Sequence, residues 1–345
     1  MSNLKDNFFR IIDYLRVSVI DRCNLRCIYC MPTDGITTER HDEILSYEEI
    51  LRVLRIGARL GVRKVRITGG EPLMRKNITF LIDSIKSIPE IEDLSMTTNG
   101  VLLNKYAHEL AHAGLDRVNV SIDSLIPERY KQITRGGDLD VVLNGLASAE
   151  KAGLDPLKIN MVPVSGLNDD EILDFAKLTF NTNVQVRFIE LMPSGSVDFW
   201  DPDKYITTDQ IRSTIESLAP LTPVRLRRHG PAKYYRMKGA KGIIGFISAI
   251  THHFCEDCNR IRLTADGKIR PCLFSETEID LKTALRTDAS DLEIERLLRL
   301  SVEAKPKGHS LDELHQNPPR EYDKHVKSSL ITNHLMKRPM SKIGG

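Results

Sequence analysis

Three cysteines in one short loop are the residues of this sequence most suited to chemistry. Cys23, Cys27 and Cys30 follow a short apolar segment at C-x3-C-x2-C spacing, and the next cysteine lies more than 200 residues away. A cubane iron-sulfur cluster normally takes four cysteine thiolates. The loop therefore predicts a 4Fe-4S cluster with one open iron, able to chelate the amine and carboxylate of a methionine backbone. A structural zinc knuckle is the alternative, although zinc sites favour four ligands in paired C-x2-C units.

An aromatic residue, Tyr29, precedes the last cysteine, and this loop resembles the signature of the radical S-adenosylmethionine (SAM) superfamily. The resemblance implies SAM as a cofactor. Gly69-Gly70-Glu71-Pro72 fits the SAM side, because glycines allow close backbone approach and Glu71 could accept a hydrogen bond from the amine. Alone, this motif would indicate only a tight turn. The resemblance implies SAM contacts from Tyr29, Gly70, Ser121 and Met192.

The remaining cysteines form a second triad, Cys255, Cys258 and Cys272, at C-x2-C-x13-C spacing. One interpretation is a structural zinc site completed by His252 or His253. The other is a second 4Fe-4S cluster whose open iron forms part of a substrate site.

Two arginines lie between Cys258 and Cys272 of this triad, on one side of an extended segment. Arg260 and Arg262 are spaced i, i+2, and the planar guanidinium fork pairs well with phosphate oxygens. The segment 255–274, with the terminal Ile343-Gly344-Gly345, resembles the GTP 3′,8-cyclase family of molybdenum cofactor biosynthesis almost end to end. The departure is a longer, more polar stretch over 312–337, which leaves the path of the tail open.

This narrower resemblance implies a lyase with two 4Fe-4S clusters that converts GTP to (8S)-3′,8-cyclo-7,8-dihydroguanosine 5′-triphosphate. A 5′-deoxyadenosyl radical would take the ribose 3′ hydrogen, and the carbon radical would attack C8 of guanine. An external electron donor and a downstream cyclic pyranopterin monophosphate synthase are implied partners. We expect Arg260 and Arg262 to act in catalysis. We also expect Gly344 and Gly345 to act there, by inserting a side-chain-free backbone into the cavity.

The elements that must position these residues form a repeat of strands and helices. Predicted strands cover 15–20, 63–68, 93–98, 117–122, 157–163 and 184–191. Ser46 and Glu49 form a capping box for the first helix, which Gly61 ends; further helices are expected at 105–113, 139–152 and 168–180. Such a repeat predicts parallel strands with right-handed crossovers, in an open doubly wound sheet or a barrel.

In all six predicted strands polar residues recur at a spacing of two. Because successive side chains of a strand point to opposite faces, these polar residues share one face of the sheet. A closed eight-stranded barrel would have a branched apolar interior. The pattern therefore favours an incomplete (β/α)6 TIM-like barrel with a polar ligand in its lumen, which the superfamily resemblance also implies. A solvated sheet face is the alternative, although parallel strands are rarely open to water. The family resemblance implies that GTP contacts come from this face and the second triad: Arg16, Arg66, Thr97, Lys158, Arg187, Arg260 and Arg262, with Lys64 as a further candidate.

Beyond residue 191, prolines and glycines interrupt the repeat. We expect a boundary near 195, dividing a radical SAM barrel (1–195) from a C-terminal α+β domain (196–345) that carries the second cluster and closes the barrel mouth. Antiparallel strands are predicted at 224–237 and 242–249, helices at 281–285 and 292–302, and irregular chain over 308–340.

The composition indicates which classes of partner and which location to expect. The 49 basic and 47 acidic residues give a net charge of +2 and argue against nucleic acid. No apolar run reaches membrane-spanning length and residues 1–10 have no apolar signal-peptide core, so we expect a cytoplasmic protein. Its oligomeric state, monomer or homodimer, does not follow from the sequence. A radical SAM enzyme that modifies peptides is the rival enzyme, although its cysteine-rich extensions usually carry more cysteines. A ferredoxin-like electron carrier is the rival binding protein, although its clusters would be fully ligated.

Overall fold

The structure is a computed structural model that describes residues 3–193, 199–226, 230–309 and 340–343. Within those ranges one sheet of twelve strands runs in the order β12-β11-β10-β1-β2-β3-β4-β5-β6-β9-β8-β7. The strands are β1 (Tyr14–Ser18), β2 (Lys64–Thr68), β3 (Asp93–Thr98), β4 (Arg117–Ser121), β5 (Lys158–Met161), β6 (Gln185–Ile189), β7 (Leu221–Val224), β8 (Lys233–Met237), β9 (Ile243–Ile247), β10 (Arg260–Leu263), β11 (Lys268–Arg270) and β12 (Ile279–Asp280).

The first six strands are parallel, and helices connect them. This confirms the α/β class expected from the repeat. The helices are α1 (Tyr47–Arg59), α2 (Ile78–Lys86), α3 (Leu103–His112), α4 (Pro127–Thr134), α5 (Leu139–Lys151), α6 (Ile172–Asn181), α7 (Thr208–Glu216), α8 (Lys282–Arg286), α9 (Asp291–Glu303) and α10 (Met340–Ile343).

Local signals account for several of these boundaries. Ser46 accepts a hydrogen bond from the Glu49 amide while the Glu49 carboxylate accepts one from the Ser46 amide, so the predicted capping box is confirmed. Gly61 follows α1 with φ of +99°, a conformation that favours glycine. The helix expected from residue 168 instead begins with a short 3₁₀ turn, Asp169–Glu171, before α6.

The chain after residue 195 extends both edges of the sheet. β9 pairs in parallel with β6 and antiparallel with β8, while β10 pairs in parallel with β1 and antiparallel with β11. The predicted antiparallel strands therefore form, but they join the same sheet as the repeat. The predicted boundary at 195 lies outside the described residues, and the two-domain division stays a prediction. In the ranges described, no helix combines the length and apolarity needed to cross a bilayer.

Strand register separates an apolar face from a polar one. Val17, Val65 and Met96 are buried in the core beneath the helices. On the other face Arg16 pairs in register with Arg66 of β2 and with Arg262 of β10. The polar residues predicted to share a face are therefore direct neighbours across strands.

Candidate active site

The first cysteine loop follows β1 and is held by the turn after β2. The Gly70 amide donates to the Ile20 carbonyl (2.6 Å), and the Glu71 amide donates to the Arg22 carbonyl (2.8 Å). A Cβ on Gly70 would collide with the Arg22 carbonyl oxygen and would lie 2.5 Å from its carbonyl carbon. Glycine is thus required here because the loop backbone fills the space of a side chain.

The Glu71 carboxylate is engaged by protein donors. It is 1% exposed and accepts hydrogen bonds from the Leu73 amide (3.1 Å), the Thr98 hydroxyl (2.7 Å) and the Asn99 amide (2.7 Å). Burial raises its pKa to about 7, against the opposing effect of these donors. An amine ligand at Glu71 would therefore share a carboxylate that already ties the β2 turn to the end of β3.

The three thiols of the first triad are largely shielded from water. Burial raises the pKa of Cys23 to about 11 and that of Cys30 to about 12, and it raises the pKa of Cys27 as well. Thiolates crowded in this way need positive charge, which iron ions supply. The Leu25 amide (3.4 Å) and the Asn99 side-chain amide (3.7 Å) both donate to Cys23 Sγ. Donors aimed at a sulfur fit a cluster ligand.

Asp123 stands beside this loop, and sequence reasoning gave it no role. The Tyr29 hydroxyl donates to Asp123 Oδ2 (2.5 Å), while the Val162 amide donates to Oδ1 (2.9 Å). Burial raises the pKa of Asp123 to about 6. Its place in the polar parity of the fourth strand, two residues after Ser121, was the available signal.

The second triad is built around β10 and β11. Cys258 precedes β10, and the antiparallel pairing of Arg262 with Arg270 returns the chain to Cys272. Lys305 donates to the carbonyls of Arg260 and Pro271, both at 2.8 Å. A lysine from the end of α9 thus fastens the two cysteine-bearing segments together.

A buried arginine from the N-terminal segment holds the same region. Arg10 donates from Nη1 to the carbonyls of Cys255 (2.6 Å) and Lys307 (2.9 Å), and its Nε pairs with Asp6. No pattern in the sequence pointed to Arg10 or to Lys305, because both act on carbonyls distant in the chain.

Electrostatics at Cys258 differ from those of the first loop. Burial alone would raise its pKa, but nearby Arg260 and Lys305 outweigh it and lower the pKa to about 6. Thiolate is the form that binds metal, so the surroundings of Cys258 suit a cysteine that binds a cluster.

Of the two histidines considered as zinc ligands, His252 pairs with Asp209 (3.0 Å). In the ranges described, no three His, Cys, Asp or Glu side chains surround a single metal-ion position.

One cavity at the carboxyl ends of the strands reaches both triads. Its lining includes most of the predicted site residues: Arg16, Tyr29, Cys30, Arg66, Thr97, Ser121, Arg187, Met192, Cys255, Cys258, Arg260, Arg262 and Cys272. Four predicted residues of the first site are not in this lining: Cys23, Cys27, Gly70 and Glu71.

A second cavity, which we call the lower cavity, lies at the amino ends of the strands. It shares Arg66 and Arg187 with the first and adds the predicted residues Lys64 and Lys158. Lys64 pairs with Asp13 (2.9 Å). The two cavities therefore divide the predicted nucleotide contacts between them, with two arginines at the junction.

These cations are buried together. Burial, followed by repulsion from Arg262, lowers the pKa of Arg16, and burial lowers that of Arg187 to about 10. Burial is also the main cause, ahead of repulsion from Arg187, that lowers the pKa of Lys158 to about 6. Such a concentration of positive charge is suited to a polyanion.

The last described segment approaches the first cavity. Met340 lines it, and Ile343 is 1% exposed, while Lys342 donates to Glu39 (2.6 Å). Gly344 and Gly345 lie outside the described residues, as does the stretch 312–337, so the predicted insertion of the tail stays a prediction.

Two family models match this chain. The Radical SAM superfamily model matches residues 17–179, and the Molybdenum Cofactor Synthesis C model matches residues 184–311. In fold, the chain is similar to Streptococcus suis SuiB bound to S-adenosylmethionine, with a TM-score of 0.61 over 88% of this chain and 78% of that one. At 15% identity this likeness concerns the fold alone.

Relatives in sequence are much closer. A GTP 3′,8-cyclase from Thermodesulfovibrio yellowstonii is 50% identical over 99% of this chain and 100% of its own length. One from Heliobacterium modesticaldum is 51% identical over 91% of this chain and 97% of its own. With such identity over nearly the full length, and with both triads opening onto one basic cavity, the chain belongs to the GTP 3′,8-cyclase family of radical SAM enzymes.

Proposed function

We propose that this chain is a lyase that cyclises GTP to (8S)-3′,8-cyclo-7,8-dihydroguanosine 5′-triphosphate, the first step of molybdenum cofactor biosynthesis. The observation that carries the proposal is the single cavity that reaches both cysteine triads. A radical made at one triad must meet a nucleotide held at the other. Family membership and buried cations both support this assignment.

At the first triad, Cys23, Cys27 and Cys30 would hold a 4Fe-4S cluster. When bound, that cluster supplies the electron that converts SAM to methionine and a 5′-deoxyadenosyl radical. The Gly70 turn packs against the loop, and Tyr29, Ser121 and Met192 line the cavity. We expect these three residues to contact SAM. The enclosing cavity would limit access of water to the radical and so suppress competing reactions.

At the other end, Cys255, Cys258 and Cys272 would hold a second cluster beside the guanine. Arg260 and Arg262 would orient the base and ribose, and the phosphates would extend past Arg66 and Arg187 toward Lys158 and the lower cavity. We infer an incomplete barrel whose polar lumen holds the nucleotide, its mouth closed by the C-terminal segment. Transfer of the 3′ hydrogen and formation of the C3′–C8 bond would be completed by one proton and one electron from an external low-potential donor. Free thiols fit a reducing compartment such as the cytoplasm.

The direct test is an anaerobic reaction of the full chain with GTP, SAM and a strong reductant. We expect 5′-deoxyadenosine and a cyclised nucleotide that is isomeric with GTP and carries a new bond between C3′ and C8. SAM cleavage without any nucleotide product would contradict the proposal. A spectral response of the clusters to a peptide, and none to GTP, would favour a peptide-modifying enzyme instead.

Iron content tests the cofactor assignment separately. Because each triad provides three thiolates, we expect roughly eight irons per chain, bleached by air, in anaerobically purified protein. Metal analysis and absorption spectra measure both. Zinc in place of one set of irons, in protein that still cyclises GTP, would contradict two clusters.

GTP binding should take up a proton at Lys158. With its pKa at about 6, the empty site holds this lysine mostly neutral at neutral pH. Bound phosphates favour the charged form and raise the pKa again. Above pH 6, affinity should therefore fall as pH rises, by up to about tenfold per pH unit.

Calorimetry in two buffers of different ionisation enthalpy measures this uptake. Lys158→Met is the control, since titration of the nucleotide's own phosphates contributes equally to both proteins. Equal proton uptake by the variant and the unaltered chain would contradict the assignment to Lys158.

A further inference from the structure

A row of side chains crosses four strands at the junction of the two cavities. Asn160 of β5 pairs in register with Arg187 of β6, Arg187 with Gly245 of β9, and Gly245 with Tyr234 of β8. Residues in register share a face. Arg187 and Tyr234 therefore flank a glycine on the polar side of the sheet.

Gly245 leaves the space in which those two side chains meet. A Cβ there would lie 2.9 Å from Arg187 Cγ and 2.9 Å from Tyr234 Cε1. Its φ is outside the left-handed region, so an alanine would meet no backbone strain. Glycine is therefore needed at this position only because a larger residue would collide with its neighbours.

The Tyr234 ring also faces the other buried cation of this region. Lys158 Nζ lies 5.8 Å from the ring centroid, and Lys158 is 8% exposed and Arg187 3% exposed. Both cations, with Tyr234, line the lower cavity. A single aromatic side chain thus contacts two of the groups proposed to bind phosphate.

The partners of neighbouring cations are different. Lys64 pairs with Asp13 (2.9 Å), and Arg117 pairs with Asp93 (2.6 Å), both in the same cavity. In the part of the chain that the structure describes, neither Lys158 nor Arg187 forms an ion pair. A carboxylate would compete with phosphate for these side chains, whereas an aromatic ring packs against them and leaves their N–H groups to phosphate.

We propose that Tyr234, seated in the space left by Gly245, is a positioning residue that orders Arg187 and Lys158 toward the distal phosphates and makes the site select a nucleoside triphosphate over a monophosphate. This inference rests on the proposed function. Long side chains lose rotamer entropy when they bind a ligand. Packing these side chains on a ring before the ligand binds lowers that entropic cost. Only a nucleotide long enough to contact Arg187 and Lys158 gains affinity from it.

The test compares affinities for GTP and GMP in the anaerobically reconstituted full chain. Tyr234→Leu removes the ring. We expect it to weaken GTP binding about tenfold, as for one impaired charged contact, and to leave GMP binding within about twofold. Tyr234→Phe keeps the ring and should retain most of the preference for GTP.

Tyr235→Leu is the matched control on the same strand. Tyr235 points the other way, onto Phe246 (ring centroids 5.6 Å apart) and Arg212. We expect it to leave the ratio of GTP to GMP affinity unchanged. Gly245→Ala should lower the ratio of GTP to GMP affinity as Tyr234→Leu does. If Tyr234→Leu does not fold, Gly245→Ala alone tests the inference.

Two results would overturn the inference. One is an unchanged ratio in both Tyr234→Leu and Gly245→Ala; the other is a parallel loss of GTP and GMP binding, which a merely structural role predicts. Failure of the proposed function would look different, since the unaltered chain would then bind or convert no GTP.

Discussion

Replacing Cys27 with serine should abolish SAM cleavage, whereas replacing Cys258 should remove GTP conversion and leave some uncoupled cleavage. The first triad places three half-buried thiols in one loop, far along the chain from the other cysteines, so no other cysteine can substitute for Cys27. Cys258 belongs to the triad beside Arg260, at the end of the cavity where we propose that the substrate binds. Assaying 5′-deoxyadenosine and cyclised nucleotide in one reaction separates the two losses.

Each triad serves as the control for the other. Cys27→Ser and Cys258→Ser should each lose about half the iron, because each removes a ligand from one of two clusters. Cleavage of SAM at the unaltered rate by Cys27→Ser would contradict the assignment of radical generation to the first loop. Complete loss of cleavage in Cys258→Ser, with the first cluster intact, would contradict the division of labour.

Sequence alone predicted which polar residues share one face of the sheet. Period 2 is a property of any extended strand, so polar residues such as Arg16, Arg66 and Arg187 could be grouped without knowledge of the register. The structure pairs Arg16 in register with Arg66 and with Arg262, which lies on a strand that joins the sheet beside β1. Arg187, four strands beyond Arg66, lines the same cavity. Helix starts were similarly predictable where a capping box stood in the sequence, as at Ser46.

Sequence could not predict the contacts made by residues far apart in the chain. Arg10 and Lys305 hold the second triad through backbone carbonyls, which any residue provides, so no pattern of side chains marks them. Pairing of β9 with β6 was also missed, because short strands after residue 221 carry no signal for their partner. That pairing is what brings Gly245 and Tyr234 to Arg187.

Glycines also show what a sequence alone cannot predict. The pair Gly69-Gly70 suggested close approach of a ligand, yet the nearest group to Gly70 is the backbone of Arg22 in the cysteine loop. A sequence shows that a side chain is absent, but only the fold shows what occupies the space. For Gly70 the occupant is the segment that carries the first thiol.

Gly70→Ala should therefore cost the first cluster while the rest of the chain folds. The added Cβ would lie 2.5 Å from the Arg22 carbonyl carbon and 2.9 Å from the Asp21 carbonyl oxygen. Backbone atoms cannot rotate aside as a flexible side chain can, and overpacking costs about 1–3 kcal/mol. Arg22 adjoins Cys23, so the strain would fall on a cluster ligand. We expect about half the iron and little SAM cleavage, measured by metal analysis and 5′-deoxyadenosine formation.

Gly57→Ala provides the matched control for this substitution. Gly57 lies in α1, where a new Cβ would meet only the side chain of Val62, at 3.3 Å from Cγ2 and 3.8 Å from Cβ. Alanine is also the better helix former. That variant should keep its full iron content and its SAM cleavage, because nothing at Gly57 bears on the loop. If Gly70→Ala behaved like Gly57→Ala, the cysteine loop would have to accommodate a methyl group without moving its first thiol. The turn after β2 would then not be what fixes the geometry of the cluster site.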